Sequence, residues 1–413
     1  MEIDVLILGA GPIGLTIYQN LSKSVRSTVL SPTEPFYFKA TKISNLNLDK
    51  KSQSGTLFGN SVFWGNQHEV NIDRSQQSSV FSDLPGFPFP LNDLKKFNKM
   101  LIKLGWPKIS NKNEFVVQLH KKLRFEERGI RFFQSLELIK TSGEFYELKV
   151  DNQIIKAKYI IFATGGLSNV YFAQKVISKY YPNLSPFNKS IGVGYSNHPK
   201  KKLGKIRFER YIKFKKFRYS YSKIKIFRGF GSGESPQVSI RLWPLVSNKK
   251  NRFTFEKLAT KCGYAKKFEL IAYFEFPQMS SSSIRFVRKY KNQLTFEFLL
   301  SIKPALIEYY RKETSRLINV LLQDYKGAKV STIISDNSFL LRDSNHHFGG
   351  TRMGTDFDNS VVDSFGKMHR TRGIYFAGTS VIPISRVDHP TFLSSMIAIR
   401  TVKKIESELG YLN

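Results

Sequence analysis

The sequence predicts an α/β fold, because three segments each read as a short apolar β-strand that ends in a turn of small residues. They lie near the N-terminus (5–11), in the middle (159–166) and near the C-terminus (373–380) of the 413-residue chain. A helical pattern follows the first and the last of these segments. Strands that alternate with helices favour a mostly parallel sheet. We therefore expect one domain to be assembled from separated stretches of the chain.

The composition is that of a globular protein large enough to bury two cores of unequal size. Hydrophobic residues make up 41% and aromatic residues 14% of the chain. The single cysteine, Cys262, excludes an internal disulfide and a cysteine-based metal cluster. No apolar run is long enough to span a bilayer, and the first residues do not resemble a secretory signal. We expect a cytoplasmic protein, either soluble or associated with a surface.

The net charge is unusual, with 65 Lys and Arg against 32 Asp and Glu, or +33. Between Lys200 and Arg228 the chain has 13 basic residues and one acid, Glu209. Around 212–215 and 223–226 apolar residues alternate with lysine, which predicts strands with one apolar and one cationic face. The charge favours an acidic substrate, a membrane surface or nucleic acid as the binding partner. The alternative is that the basic residues only form a solvated surface. No nucleic-acid motif accompanies it, so we expect no specific nucleic-acid partner.

The first turn has glycines at the spacing G-x-G-x-x-G, directly after an apolar strand and before a helix. The first glycine permits the tight turn, the second lets the backbone approach a pyrophosphate, and the third lets helix and strand pack closely. The free N–H groups at the start of the helix then face the anion. The pattern predicts a dinucleotide site, and the residues predicted to form it are Gly9, Gly11, Pro12, Ile13 and Gly14.

The second strand, Ser27 to Leu30, is expected to end in an acidic residue that binds the adenosine ribose. Ser31 stands there instead, and the next acid, Glu34, comes three residues later. Ser31 can still accept one hydrogen bond from a hydroxyl group. We therefore predict a nucleotide site whose ribose contact is altered.

The second and third turns have small residues that let the chain pass close to a bound cofactor. A hairpin around Asp151 and Asn152 is predicted just before the middle strand. A helix is predicted from about Pro390 to Leu409, because Phe392, Met396, Ile399 and Val402 recur at helical spacing and should face the core. The turn residues predicted to contact the cofactor are Ala163, Thr164, Gly165, Gly378 and Thr379.

These motifs, in their order along the chain, resemble those of the glucose–methanol–choline (GMC) flavin oxidoreductases, particularly the bacterial sugar-oxidising branch. The similar stretches are GAGPIG (9–14), LFGNSVFWG (57–65), PGFPF (85–89), FATGGLSN (162–169), GVG (192–194), HP (198–199), HHFGGTRMG (346–354), VVD (361–363), FAGTSVIP (376–383) and HPT (389–391). The match is weak over 200–330, and the chain is shorter than most members of the family. The resemblance implies that FAD is the cofactor, and it leaves open whether FAD is bound covalently.

The resemblance also implies a division of the chain and further cofactor contacts. A discontinuous, Rossmann-like FAD-binding domain would comprise 1–199 and 331–413, and a substrate-binding domain with a second, antiparallel sheet would comprise 200–330. The additional residues expected to contact the cofactor are Gly59, Asn60, Ser61, Trp64, Pro390 and Thr391.

Alcohol oxidation by a flavin requires a base that titrates near neutral pH beside the hydroxyl group, which histidine provides. By the family pattern the base lies six residues before the Arg of RMG, which selects His346. A second rule, His-x-x-Gly-Thr, selects His347 instead. His389 is expected to be the partner that holds the same oxygen, and His198 is expected to be structural. No histidine or carboxylate spacing predicts a metal site.

The resemblance implies an FAD-dependent oxidase or dehydrogenase that converts an alcohol, expected to be a sugar or sugar derivative, to a carbonyl. The cationic segment favours an anionic substrate such as a sugar nucleotide, a glycan or a lipid-linked sugar at the membrane face. The first alternative keeps the fold without the oxidation and binds an anionic surface or partner. The second is flavin chemistry other than alcohol oxidation. The sequence leaves open the identity of the alcohol and of the electron acceptor.

Overall fold

The computed structural model describes most of the chain. The described residues are 1–34, 36–44, 46–47, 67–69, 80–104, 114–116, 129–184, 189–214, 216–217, 220–221, 226–228, 235–245, 258–260, 262–331, 341–385 and 390–411. The α-helices among them are α1 (Pro12–Asn20), α2 (Asn98–Lys103), α3 (Ser168–Tyr180), α4 (Pro304–Asp324) and α5 (Thr391–Glu408), and two 3₁₀ helices span Leu91–Phe97 and Thr379–Val381.

The strands are numbered in chain order. They are β1 (Glu2–Leu8), β2 (Ser27–Pro32), β3 (Tyr37–Ser44), β4 (Leu46–Asn47), β5 (Gln67–Glu69), β6 (Glu114–Val116), β7 (Ile130–Phe133), β8 (Leu136–Ser142), β9 (Phe145–Val150), β10 (Gln153–Phe162), β11 (Ser196–Asn197), β12 (Lys200–Lys213), β13 (Lys216–Phe217), β14 (Ser220–Tyr221), β15 (Ile226–Arg228), β16 (Val238–Pro244), β17 (Tyr264–Phe274), β18 (Ser283–Tyr290), β19 (Gln293–Leu299), β20 (Lys329–Ser331), β21 (Leu341–Arg342), β22 (His347–Phe348) and β23 (Ile374–Phe376).

The central sheet confirms the predicted α/β class. Strands β7, β2, β1, β10 and β23 lie side by side in this order, and each neighbouring pair is parallel. The first half of β10 also forms the predicted hairpin with β9, whose turn has Asp151 at a positive φ of 51°. The three strands predicted to end in small-residue turns, β1, β10 and β23, are therefore neighbours in one sheet.

Helices cover both faces of the central sheet because consecutive residues of its buried strands, which point to opposite faces, are apolar. On one face Val5 and Ile7 of β1 pack in a cluster with residues of α1 and α5. On the other face Leu6 and Leu8 pack in the main core, together with Val170 of α3. The four apolar residues predicted to face the core from the last helix are all buried there, which confirms that prediction: Phe392, Met396, Ile399 and Val402.

A second, largely antiparallel sheet is built around the cationic segment. Its strand order is β15-β16-β17-β12-β21-β4, with β20 also paired to β12. A third sheet has the order β18-β19-β3, in which β3 runs parallel to β19. The short strands β3 and β4, from the first part of the chain, thus pair with strands that come much later. The division of the chain into two domains stays a prediction.

Candidate functional site

The three small-residue turns meet at one edge of the central sheet. Because β1, β10 and β23 are parallel neighbours, the turns that follow them lie side by side and bound a cavity with the end of β2. Both adjacent histidines line the same cavity. The predicted cofactor residues that line it are Gly9, Gly11, Pro12, Ile13, Ser31, Ala163, Thr164, Gly165, Gly378, Thr379 and Thr391. Residues as far apart in sequence as Gly9 and Thr391 therefore face one space.

The first turn packs closely against neighbouring backbone because its glycines have no side chains. Gly9 has φ +111°, and a Cβ there would lie 2.5 Å from the carbonyl oxygen of Ala163 in the neighbouring turn. A Cβ at Gly14 would lie 1.8 Å from the carbonyl oxygen of Gly9. Helix α1 then starts at Pro12 without a hydrogen bond from a capping side chain. Its first N–H groups can therefore bind an anion such as a pyrophosphate.

A buried asparagine, Asn169, joins the second turn to the third. Its side-chain Oδ1 accepts hydrogen bonds from the backbone N–H (3.1 Å) and the hydroxyl (2.7 Å) of Thr164. Its Nδ2 donates to the carbonyl oxygen of Ala377 (3.0 Å) and to Oγ of Ser380 (2.8 Å). We did not predict a role for this residue. Its place in the FATGGLSN motif was the signal that could have identified it.

The histidine segment is tied to the same network through Thr351. The hydroxyl of Thr351 donates to Oγ of Ser380 at 2.7 Å, and its backbone N–H donates to the Ser380 carbonyl at 3.2 Å. The second turn also touches this segment closely, because a Cβ at Gly166 would lie 2.9 Å from Cβ of His347. The two turns and the histidines thus form one packed unit.

His347 is 9% exposed, and its buried Nε2 makes no hydrogen bond within the described part of the chain. Its Nδ1 is hydrogen-bonded to the hydroxyl of Tyr195 at 2.9 Å. Its Nε2 lies 4.0 Å from the carboxylate of Asp343, a fully buried residue. Burial lowers the pKa of His347, and the Asp343 carboxylate opposes this only in part. His347 is therefore neutral at neutral pH.

His346 is 5% exposed and pairs with a third histidine. Nε2 of the fully buried His198 is hydrogen-bonded to Nδ1 of His346, and the ring centroids are 4.4 Å apart. We expected His198 to be structural, and its direct contact with a candidate base was not predicted.

The end of the cavity beside β2 has no carboxylate among the described residues that line it. Ser31, buried at the end of β2, lines this end of the cavity. The nearest acid in sequence, Glu34, instead accepts a hydrogen bond from the side chain of Asn292 at 2.7 Å on the exposed surface. The walls are apolar, with Phe133 and Phe38 among the lining residues. This end of the cavity is therefore lined by apolar rather than charged side chains.

Several predicted site residues lie outside the described part of the chain. They are Gly59, Asn60, Ser61, Trp64 and His389. Pro390, at the start of the last helix, is buried one residue before Thr391, which does line the cavity. No helix among the described residues is long and apolar enough to cross a membrane.

Comparisons with known proteins agree with this architecture. Residues 318–398 match the sequence model of the GMC oxidoreductase family. Among solved structures, the chain is similar to pyridoxine 4-oxidase from Mesorbium loti, with 13% sequence identity and a TM-score of 0.59. That alignment covers 97% of this chain and 99% of the other. A search of curated protein sequences gave no significant match.

The matched segment contains both adjacent histidines and the third small-residue turn, and the structural similarity extends over nearly the whole chain. Members of the family in general bind FAD. The resemblance predicted from the motifs is therefore confirmed over residues 318–398, and the fold of nearly the whole chain agrees with it.

Proposed function

We propose that the chain binds FAD in this cavity and oxidises a CH–OH group to a carbonyl, with His346 as the proton acceptor. The observation that carries the proposal is the shared cavity of the three small-residue turns and both histidines. When bound, FAD would supply the hydride acceptor, which no amino-acid side chain can provide. The protein would supply the position of the alcohol and the base.

The residues present fit FAD at its pyrophosphate. Gly9 and Gly14 have the close backbone approaches that a side chain would block, and α1 presents uncapped N–H groups next to them. The second and third turns would border the rest of the cofactor. Asn169 would hold these two turns at a fixed distance from each other, because its carboxamide is hydrogen-bonded to both.

His346 is the better candidate for the base because of its contact with His198. Neutral His346 can accept the hydroxyl proton at its Nε2 only if its own ring hydrogen is on Nδ1. That hydrogen would then be donated to Nε2 of His198. His198 would thus favour the reactive tautomer of His346, and it would stabilise the imidazolium that forms after the proton is accepted.

His347 would hold the site rather than react. Its Nδ1 is hydrogen-bonded to Tyr195, and the carboxylate of Asp343 lies 4.0 Å from its Nε2. The lowered pKa also makes it a weaker base than an exposed histidine. His389 would be the second group on the alcohol oxygen, a role taken from its position in the HPT motif. Thr351 would fix the distance between the histidine segment and the third turn.

We propose a sugar or sugar derivative as the alcohol, because the motifs resemble the sugar-oxidising branch of the family. The cationic segment supports an anionic form, such as a sugar nucleotide or a lipid-linked sugar. In this proposal the cofactor is held by an FAD-binding domain, which comprises 1–199 and 331–413. The substrate side of the site comes from a second domain, 200–330, and the enzyme works in the cytoplasm.

Anaerobic mixing of the purified protein with a panel of alcohols tests this function. The protein should be yellow, and the flavin absorbance should bleach with the right sugar or sugar nucleotide. A colourless protein that takes up no FAD would support the alternative, a flavin-type fold that binds an anionic surface without oxidation. Turnover of a substrate without net bleaching would support other flavin chemistry.

A further inference from the structure

The third sheet, β18-β19-β3, has one covered face and one open face. Successive side chains of a strand point to opposite faces of its sheet. On the covered face Leu294, Phe296 and Phe298 of β19 are buried, and Phe38 of β3 lines the cavity. The open face is the other side of the same three strands, and the proposed oxidation does not explain the residues there.

Two tyrosines lie on the open face in the same row of the sheet. Tyr290 of β18 and Tyr37 of β3 are both paired with Gln293 of β19, one on each side. Tyr290 is 68% exposed and Tyr37 is 51% exposed, and Gln293 between them is exposed as well. Paired residues in neighbouring strands point to the same face. Because neighbouring strands are about 5 Å apart, the Cα atoms of the two tyrosines are about 10 Å apart.

Two cations occupy the next row of the same face. Arg288 of β18 and Lys39 of β3 are both paired with Thr295 of β19, and both are exposed. Thr295 itself is buried, so the two long side chains form the surface at this row. Neither cation forms an ion pair with a residue in the part of the chain that the structure describes.

The acidic residues near this face do not neutralise it. Glu297, the one acid in these three strands, is paired with Arg285 in the row beyond the two cations. Glu34 accepts a hydrogen bond from Asn292 in the turn beside the tyrosines, and the exposed Lys291 precedes Asn292 in that turn. Each of these acids thus has a basic residue nearby, and the two cations of the row between them remain in excess.

We propose that this platform, formed by Tyr37, Tyr290, Gln293, Arg288 and Lys39, binds an acidic polysaccharide chain. The face of a tyrosine ring carries partial negative charge and packs against the C–H groups on the face of a sugar ring. The two rings would hold two sugars of one chain, and Gln293 offers a donor and an acceptor for the hydroxyl groups between them. Arg288 and Lys39 would bind the carboxylate or sulfate groups of the chain.

An acidic polysaccharide fits this face better than a single-stranded nucleic acid or a bilayer. Successive bases of a bound strand stack on successive aromatic rings, whereas here a glutamine separates the two tyrosines. A bilayer favours a continuous apolar face that inserts below the headgroups, and the middle of this row is an amide. Binding here needs neither flavin nor turnover, so the proposal stands apart from the proposed oxidation.

Calorimetric titration with alginate, a polymer of uronic acids, tests the platform directly. The full-length protein should bind alginate at about 0.15 M salt and should bind dextran, a neutral polysaccharide, much more weakly. Tyr37→Thr with Tyr290→Thr should weaken alginate binding about 10-fold, because each ring contact contributes several-fold. Arg288→Gln with Lys39→Gln should weaken it about 5-fold, and this loss should shrink as salt is raised.

The matched controls change exposed residues of the same kinds elsewhere on the protein. Tyr264→Thr with Tyr411→Thr is the control for the rings, and Lys99→Gln with Lys140→Gln is the control for the charges. Each control pair should change alginate binding little. Equal losses in the platform variants and their controls would overturn the proposal, because only the overall charge of the protein would then matter. Absence of alginate binding would also overturn it.

Further variants keep the test valid if the threonine variant does not fold. Gln293→Glu, at an exposed position between the rings, should weaken alginate binding because its carboxylate repels the chain, and unchanged binding would contradict the platform. Tyr37→Phe with Tyr290→Phe keeps both rings and should bind as the wild type does. The competing ligands are poly(dT) and vesicles that contain phosphatidylglycerol. Tighter binding of either one, with the same dependence on the two tyrosines, would replace the polysaccharide as the ligand and overturn the proposal.

Discussion

Asn169 and Ser380 are 211 residues apart in sequence and are joined by a buried hydrogen bond of 2.8 Å. The same carboxamide binds the backbone of Thr164, so one side chain fixes two of the three turns that bound the cavity. Asn169 has no exposed surface, and water therefore cannot replace its hydrogen bonds. Its removal should affect both the fold and the cofactor.

Asn169→Ala should lower the free energy of unfolding and release the cofactor. A buried polar group left without a hydrogen-bond partner costs about 1–3 kcal/mol. Thr164 and Ala377 would each lose a hydrogen bond to the Asn169 side chain. Urea denaturation and the flavin absorbance after gel filtration measure the two effects. Asn20→Ala is the control, because its amide donates to the Thr16 carbonyl within α1 and so joins no separate segments. An Asn169 variant that is as stable as this control would contradict the role of the network.

Gly9→Ala should abolish cofactor binding. The new Cβ would lie 2.5 Å from the Ala163 carbonyl oxygen, so the first two turns would have to separate. Gly143→Ala is a close control, because Gly143 also has a positive φ, +58°, but has open space around it. Both variants carry backbone strain, and only the first carries the clash. Titration with FAD followed by flavin fluorescence compares them, and equal affinities would argue against the predicted cradle.

The stability of the protein should fall as the pH is lowered through about 6.5, the pKa of histidine in an unfolded chain. Burial lowers the pKa of His347 in the folded state, so the unfolded state binds a proton first and is favoured by acid. The loss of stability should continue until the pH falls below the pKa of His347 in the folded state. Urea denaturation between pH 5 and 8 measures the slope.

His347→Gln should flatten this dependence without removing it, because burial also lowers the pKa of His369. The double variant with His369→Gln should be flatter still. An unchanged slope in the double variant would mean that other groups cause the acid sensitivity.

Ser31→Glu should strengthen the binding of FAD and leave the binding of FMN unchanged. Ser31 lines the cavity at the end of β2, where a carboxylate can accept hydrogen bonds from a ribose. FMN lacks the adenosine, so it reports any effect that does not involve this contact. Calorimetric titration of the apoprotein with each flavin separates the two. Equal gains in affinity for FAD and FMN would mean that the adenosine of FAD does not lie beside residue 31.

Much of the fold could be predicted from the sequence, because strand and glycine patterns are local signals. The turns at Gly9, Ala163 and Gly378 were predicted from short apolar runs that end in small residues, and they do line one cavity. The parallel pairing of β3 with β19 was not predicted, because strand partners far apart in sequence leave no local pattern.

The same limit applies to the candidate site. The adjacent histidines were predicted, but their separate partners were not. His346 contacts His198 and His347 contacts Tyr195, each about 150 residues earlier in the chain, with separations of 148 and 152. A hydrogen bond between such distant residues depends on how the strands are ordered, and a single sequence does not contain that order.

The most direct test of the central claim is the rate of anaerobic flavin bleaching by the oxidised alcohol in His346→Ala and His347→Ala. The account predicts that both variants stay yellow and that His346→Ala bleaches about 10²–10⁴-fold more slowly, the usual contribution of a general base. His347→Ala should bleach within a small factor of the wild-type rate. A normal rate in His346→Ala, or the large loss in His347→Ala alone, would contradict the assignment of the base.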